Sequence, residues 1–279
     1  MEDKKDIENG VVIGNVRQLL WDMAIGLQKV DDLSLSAYLN KLTEENVNGT
    51  KSVYDVLNEL RAYYTEQGKK NEINYNEFEC DMVSTKIVEI LEEDGFSLSI
   101  DYLKYLHEYL FRDIYDFSGE FRNVDISKNE RILNDDTVEY GQHDLIKQSL
   151  EYSFLQEKNK DFEEMDTVDI VHGFARFTSN LWQIHPFREG NTRTTAVFIE
   201  KYLISLGVDI DNSYFKEKSV YFRNALVRSC YHNKYLNIKK DDSYLIKFYE
   251  NLLLGKNHSL HSKDLIVKEL FDLDETRSR

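Results

Sequence analysis

Proline occurs once in 279 residues, at Pro186, and glycine only twelve times. The chain therefore has few of the residues that interrupt helices, and with its abundant Leu, Glu and Lys it reads as mostly α-helical. Cysteine is nearly absent: Cys80 and Cys230 have no metal-ligand spacing and are expected as buried, reduced thiols. Lysine and arginine number 35 against 51 aspartates and glutamates, and the net charge of −16 argues against nonspecific nucleic-acid binding and against an anionic membrane surface. No apolar run reaches membrane-spanning length, and the opening Met1-Glu2-Asp3-Lys4-Lys5-Asp6 is no signal peptide, so a cytoplasmic protein is expected. Neither G-x-x-x-x-G-K-(S/T) nor G-x-G-x-x-G occurs, which disfavours P-loop and Rossmann chemistry. His143, His172 and His185 lack the paired spacing of a zinc site. What is present in quantity is apolar surface, 41% hydrophobic with 13% aromatic residues, ample for a packed core.

The solitary proline marks the stretch His185-Pro186-Phe187-Arg188-Glu189-Gly190-Asn191-Thr192-Arg193. A helical pattern leads in from Val168 to Ile184 and another leads out from Thr194 to Leu206, where Gly207 supplies a stop. Pro186 restricts the residue before it, so the incoming helix is expected to end with an extended His185. Gly190 and Asn191 permit a tight or positive-φ turn that aims backbone N–H groups at one point, at the positive end of the outgoing helix. The loop reads as an anion seat with its own base. Glu189 offers a hard carboxylate for Mg²⁺, Arg193 a bidentate phosphate brace, and His185 a proton acceptor near neutral pH. A helix-capping loop with a structural histidine is the plainer alternative.

This run resembles the signature of the Fic/Doc family, H-P-F-x-(D/E)-G-N-x-R-x-x-R, at every position but the last. The resemblance implies a Fic-type helical bundle with a β-hairpin flap. It also implies transfer of AMP from Mg·ATP to a Tyr, Thr or Ser hydroxyl of a target protein. On that footing His185 is the general base and Glu189 the Mg²⁺ ligand. Phe187, Arg188, Gly190, Asn191, Thr192 and Arg193 form the nucleotide-binding loop, in which Gly190, Asn191 and Arg193 hold the phosphates. Ala196 stands where many relatives carry a second arginine that contacts the terminal phosphate. That departure leaves open a different nucleotide, phosphocholine or phosphate as the transferred group, or a module that binds nucleotide without turnover.

Upstream, three apolar stripes occupy residues 15–65: Val16, Leu19, Leu20, Met23, Leu27 and Val30; Leu35, Tyr38, Leu39 and Leu42; and Val53, Val56, Leu57 and Leu60. Residues 1–65 are expected as a small three-helix domain, 66–75 as a linker, 76–255 as the catalytic domain and 256–279 as a tail. The three helices resemble the antitoxin domains that restrain Fic enzymes through an (S/T)-x-x-x-E-(G/N) motif. If Leu27 to Asp32 stands in for that motif, Leu27 replaces the serine and Asp31 the glutamate; an ordinary docking domain is the alternative.

In the middle, a helix is expected from Ser84 to Glu93, and another follows a Ser97 or Ser99 cap, with His107 beside its apolar face. Phe117 to Lys128 then turns irregular, with Phe121, Val124 and Ile126 suggesting extended structure. By resemblance Ile126 to Leu133 is the flap, and Ile126, Ser127, Lys128, Ile132 and Leu133 would hold the target by strand addition. A plain edge hairpin is the competing reading. Beyond the loop, helices are expected at Val220 to Cys230 and Ser243 to Leu254, closed by Gly255. In relatives, residues near the nucleotide base lie at the place of Tyr221, Phe222, Arg223 and Asn224.

Overall fold

Helix signals in the sequence are realised one after another. Ser52 and Asp55 form a reciprocal capping box, Ser36 and Asp166 accept the N–H groups of Leu39 and Asp169, and Ser99 Oγ accepts that of Tyr102 at 3.1 Å. The computed structural model describes residues 16–277 apart from 209, 211 and 212. Its helices are α1 (residues 16–28), α2 (Ala37–Val47), α3 (Val53–Lys70), α4 (Tyr75–Glu92), α5 (Ile100–Phe111), α6 (Ile146–Lys158), α7 (Thr167–Ile184), α8 (Asn191–Ser205), α9 (Ser213–Cys230), α10 (Ser243–Leu254) and α11 (Lys268–Arg277).

The chain divides into two compact units. The first contains the residues up to Phe96 with Leu106–Ser118 and Asp211–Ser219; the second contains Ser97–Tyr105, Gly119–Ile210 and the residues from Val220 onward. In the first, α3 runs antiparallel into α4 through Asn71, which ends α3 with φ 57°. The expected linker is thus helical through Lys70, because Glu66 to Lys70 are good helix formers despite their polarity. Leu27 is core, while Asp31 lies exposed on a short 3₁₀ turn after α1. Buried Asp81 on α4 ties three elements together: it accepts from Ser36 N (3.0 Å), Ser36 Oγ (2.5 Å) and Tyr64 Oη (2.7 Å).

In the second unit α7 is the central element, packed by α6, α8 and α10. Its buried face carries Val171, Phe174, Phe177, Leu181 and Trp182. Cys230 and, in the first unit, Cys80 are buried and not disulfide-bonded. No strand ladder is assigned among the described residues, only an isolated bridge between Asn233 and Ile238, so the expected β-hairpin is not formed. Residues 126–130 are coil, and Arg131–Leu133 is a 3₁₀ turn ending in Asn134 at φ 52°. The reason lies in Ile132 and Leu133, which are buried and so turn inward. The tail seals them: Val267 N–H donates to Ile132 O at 3.0 Å, and Asn134 Nδ2 donates to Leu270 O at 3.2 Å.

Asp81→Ala strands the Ser36 hydroxyl and the Tyr64 phenol in a dry interior, each unsatisfied group costing about 1–3 kcal/mol. Urea denaturation is expected to show a loss of about 2–4 kcal/mol; a change below about 0.5 kcal/mol would show that the network does not hold the first unit together.

Candidate active site

Helix α7 does not end in the extended conformation expected before proline. His185 adopts φ 49°, ψ 61°, the left-handed region, and its N–H donates to Trp182 O at 3.1 Å. Pro disfavours a right-handed helical residue before it, and the left-handed cap satisfies that restriction while also using a helix carbonyl. For a residue with a Cβ this geometry costs on the order of 1–3 kcal/mol unless its surroundings impose it.

The same turn fixes the imidazole. His185 Nδ1 lies 3.1 Å from Trp182 O. A carbonyl only accepts, so the hydrogen resides on Nδ1, and Nε2 carries the bare lone pair. Nε2 is buried and has no hydrogen-bond partner among the described residues. Burial is the main cause that holds His185 well below the usual histidine range, with the Lys128 charge adding to it and the Trp182 carbonyl opposing it. An unfolded histidine takes its proton near 6.5. The folded one resists, so its contribution favours folding fully above that pH and is lost as pH falls below it. Aromatic walls close the ring in: Tyr140 at 4.3 Å between centroids, and Trp182 edge-on at 5.3 Å. The indole is itself anchored by Nε1–H donation to Thr192 Oγ1 at 2.9 Å.

The loop after His185 closes on itself. Asn191 Oδ1 accepts from Phe187 N at 2.9 Å, and its Nδ2 donates to Phe187 O at 2.8 Å. The Asn191 side chain therefore braces the loop. Gly190, at φ 75°, begins α8 with no side-chain cap, and α8 starts at Asn191, three residues earlier than expected, so its first N–H groups face the loop's mouth. Phe187 is buried against Phe121 at 5.6 Å. Thr192 and Arg193 are buried in the first turn, and Arg188 reaches Asn123 Oδ1 at 3.2 Å on the surface. Ala196 is buried one turn further on.

Sequence reasoning missed the clamp under this loop. Arg122 is buried, and its guanidinium donates to four carbonyls: His185 O (2.8 Å), Val124 O (2.7 Å), Ile184 O (3.3 Å) and Gly141 O. Its own N–H donates to Pro186 O at 2.9 Å. A cation on the last carbonyls of α7 also meets the negative end of that helix. The role of Arg122 was not legible in the sequence, because its acceptors are main-chain atoms. A second missed group is Glu130, fully buried, paired through both carboxylate oxygens with Arg223 and receiving the Tyr140 phenol at 3.1 Å. Arg223 is thus engaged by Glu130. Of the expected flap residues, Lys128 is the one that meets the loop: its Nζ donates to Glu189 Oε2 at 2.7 Å, with 27% and 52% of the two side chains exposed. Ile126 lines a groove of about 1170 Å³ with Thr137, Tyr140, Gln183 and Lys240. Ser127 is exposed, whereas Ile132 and Leu133 face inward.

Residues 97–203 match the sequence profile of the Fic/DOC family. The chain is 28% identical over 171 residues to a probable protein adenylyltransferase of Sinorhizobium fredii, covering 57% of this chain and 78% of that protein. It is 30% identical over 112 residues to the protein adenylyltransferase VbhT of Bartonella schoenbuchensis, 40% of this chain and 22% of that one. Among solved structures, the effector BepC of Bartonella tribocorum with bound AMPPNP is similar with a TM-score of 0.51 at 18% identity, over 66% of this chain and 90% of that one. The N-terminal FIC domain of Bep8 from Bartonella sp. 1-1C gives 0.51 at 19%, over 65% and 86%.

Lysine cannot reproduce the fork that Arg122 presents to several carbonyls. Arg122→Lys is expected to cost about 2–4 kcal/mol in thermal or urea unfolding; an unchanged unfolding midpoint would remove Arg122 from the account of the His185 turn.

Proposed function

We propose, from the match of residues 97–203 to the Fic/DOC family profile, that this segment is a Fic/DOC domain and that the chain transfers AMP from ATP to a hydroxyl of a target protein. The observation that carries the reading is the bare, buried Nε2 of His185, the residue that opens the loop between α7 and α8. Nε2 takes the proton of a Tyr, Thr or Ser hydroxyl, the oxygen attacks the α-phosphorus, the bond to the β-phosphate oxygen breaks, and pyrophosphate leaves. The uncapped N–H groups of α8 face the charge that develops on the α-phosphate. Arg193, Thr192 and Gly190 complete the seat, Phe187 and Asn191 keep its shape, and Arg188 borders it. The two curated relatives, both named as protein adenylyltransferases, support AMP as the transferred group. Ala196 favours a second reading in which the donor lacks a tightly held terminal phosphate, so a different nucleotide or a phosphocholine donor belongs in the test.

Mg²⁺ fits one side chain here. Glu189 is half exposed at the loop's mouth, and the Lys128 ammonium already sits on its Oε2 as a stand-in cation. No group of three or more acidic, His or Cys side chains placed to hold a metal ion occurs among the described residues, so phosphates and waters would supply the remaining ligands. Bound there, the ion supplies charge neutralisation of the polyphosphate. The target chain is proposed to run along residues 126–130 and the groove beside them, where exposed Tyr152 and Leu145 offer apolar contact. The N-terminal helices are proposed to be structural; their candidate inhibitory residues are a core leucine and a solvent-facing aspartate. No described helix is long and apolar enough to cross a membrane.

Incubation with each labelled nucleotide and Mg²⁺, followed by mass spectrometry of the protein and a lysate, is expected to show an AMP adduct that is lost in His185→Ala. Equal labelling in both, or none with any donor, would refute the proposal. Separately, Lys128→Gln removes a competing cation from Glu189. Because an exposed ion pair is worth about 0.2–1 kcal/mol, Mn²⁺ affinity measured by electron paramagnetic resonance is expected to rise about 1.4- to 5-fold; unchanged or weaker binding would show that Lys128 and the metal do not share Glu189.

A further inference from the structure

We propose that Glu130 is a positioning residue for the His185 imidazole, acting through the phenol of Tyr140. The inference rests on the reading of His185 as the base. It starts from a charge in an unexpected place: Glu130 lies in a polar run, Lys128-Asn129-Glu130, yet its side chain is fully buried. A carboxylate is carried into a protein interior only where its lone pairs are met.

The partners of Glu130 account for that burial and lead to the imidazole. Arg223 from α9 takes both oxygens, and Tyr140 Oη donates to Oε1 at 3.1 Å. Tyr140 does not bond to His185; it lays its ring against the imidazole, 4.3 Å between centroids and 45° between planes. The same ring meets Trp182 edge-on at 5.7 Å. Each wall of the imidazole is therefore tied down by a polar group on its far side: Trp182 by Thr192, and Tyr140 by Glu130. Main-chain bonds hold Glu130 in turn, since its N–H donates to Asp136 O at 3.0 Å and its carbonyl accepts from Asp135 N at 3.1 Å.

Cutting this tether has two consequences. The Tyr140 ring gains freedom, and water reaches the imidazole. Lys128, Arg122 and Arg223 are charges that hold His185 down, and all are cations. Admitting water screens them and lowers the desolvation cost, and both effects raise the histidine toward its ordinary value. A loosened base also loses orientation, which lowers the transfer rate more than nucleotide binding.

The test follows the His185 ring by ¹³C NMR through a pH titration of the full chain, for wild type, Glu130→Met, Glu130→Gln, Tyr140→Phe and the double variant Glu130→Met/Tyr140→Phe. The transfer kinetics are measured alongside. Glu130→Met and Tyr140→Phe are each expected to raise the His185 midpoint by about half a unit or more. Each is expected to lower kcat roughly ten-fold while the nucleotide KM stays within about three-fold. The double variant is expected to match the worse single variant, because both cut one tether. Glu130→Gln keeps an acceptor for the phenol and is expected to retain part of the wild-type behaviour, which covers the case in which Glu130→Met does not fold. An unmoved His185 midpoint in a folded Glu130 variant, or additive losses in the double variant, would overturn the proposal. If wild type transfers nothing from any donor while the midpoints respond as expected, the proposed reaction fails and the positioning role stands.

Discussion

The site depends on one left-handed residue. At His185 the backbone leaves α7 with φ 49°, and that single turn lets Nδ1 share the Trp182 carbonyl with the His185 main chain while Nε2 is left bare. Such a conformation needs outside support, and Arg122 provides it by gathering the carbonyls of Ile184 and His185 together with those of Val124 and Gly141. The guanidinium thus links the end of α7 to both arms of the segment that precedes α6. Asn191 performs the matching task on the far side by closing the loop onto Phe187.

This arrangement separates the groups that hold the site from those that would do chemistry in it. Arg122, Asn191, Thr192, Tyr140 and Glu130 spend their polar atoms on the protein. What remains beside them is the bare Nε2 of a neutral imidazole, the start of α8 without a side-chain cap, and the half-exposed Glu189 carboxylate paired with Lys128. A bare buried nitrogen costs free energy in the resting state, so entry of a hydroxyl offsets a penalty already present. The ion pair between Lys128 and Glu189 has a similar character, since it neutralises a carboxylate for which a divalent ion would be the stronger partner.

Much of this was legible in the sequence because it rests on local rules. Helix α10 runs from Ser243 to Leu254 and ends at Gly255 as its pattern requires, and Gly190 takes the positive φ that its place before α8 demands. The loop residues from His185 to Arg193 come together because they are contiguous. The sequence misled where tertiary partners decided the outcome. Ile132 and Leu133 look like a strand, but burial against the tail turns them into a 3₁₀ corner. Glu130 looks like a solvated turn residue, and only Arg223, 93 positions later, makes its burial possible. His185 was read as extended because proline favours extended backbone in the residue before it, whereas its bond to the Trp182 carbonyl and the Arg122 clamp select the left-handed turn.

The central claim is that His185 is a neutral base with its hydrogen on Nδ1 and its lone pair on Nε2. Nitrogen-15 NMR of the ring in the ligand-free protein between pH 6 and 8 tests it most directly. The structure predicts a protonated Nδ1 and an unprotonated Nε2 across that range; an imidazolium, or a hydrogen on Nε2, would contradict it.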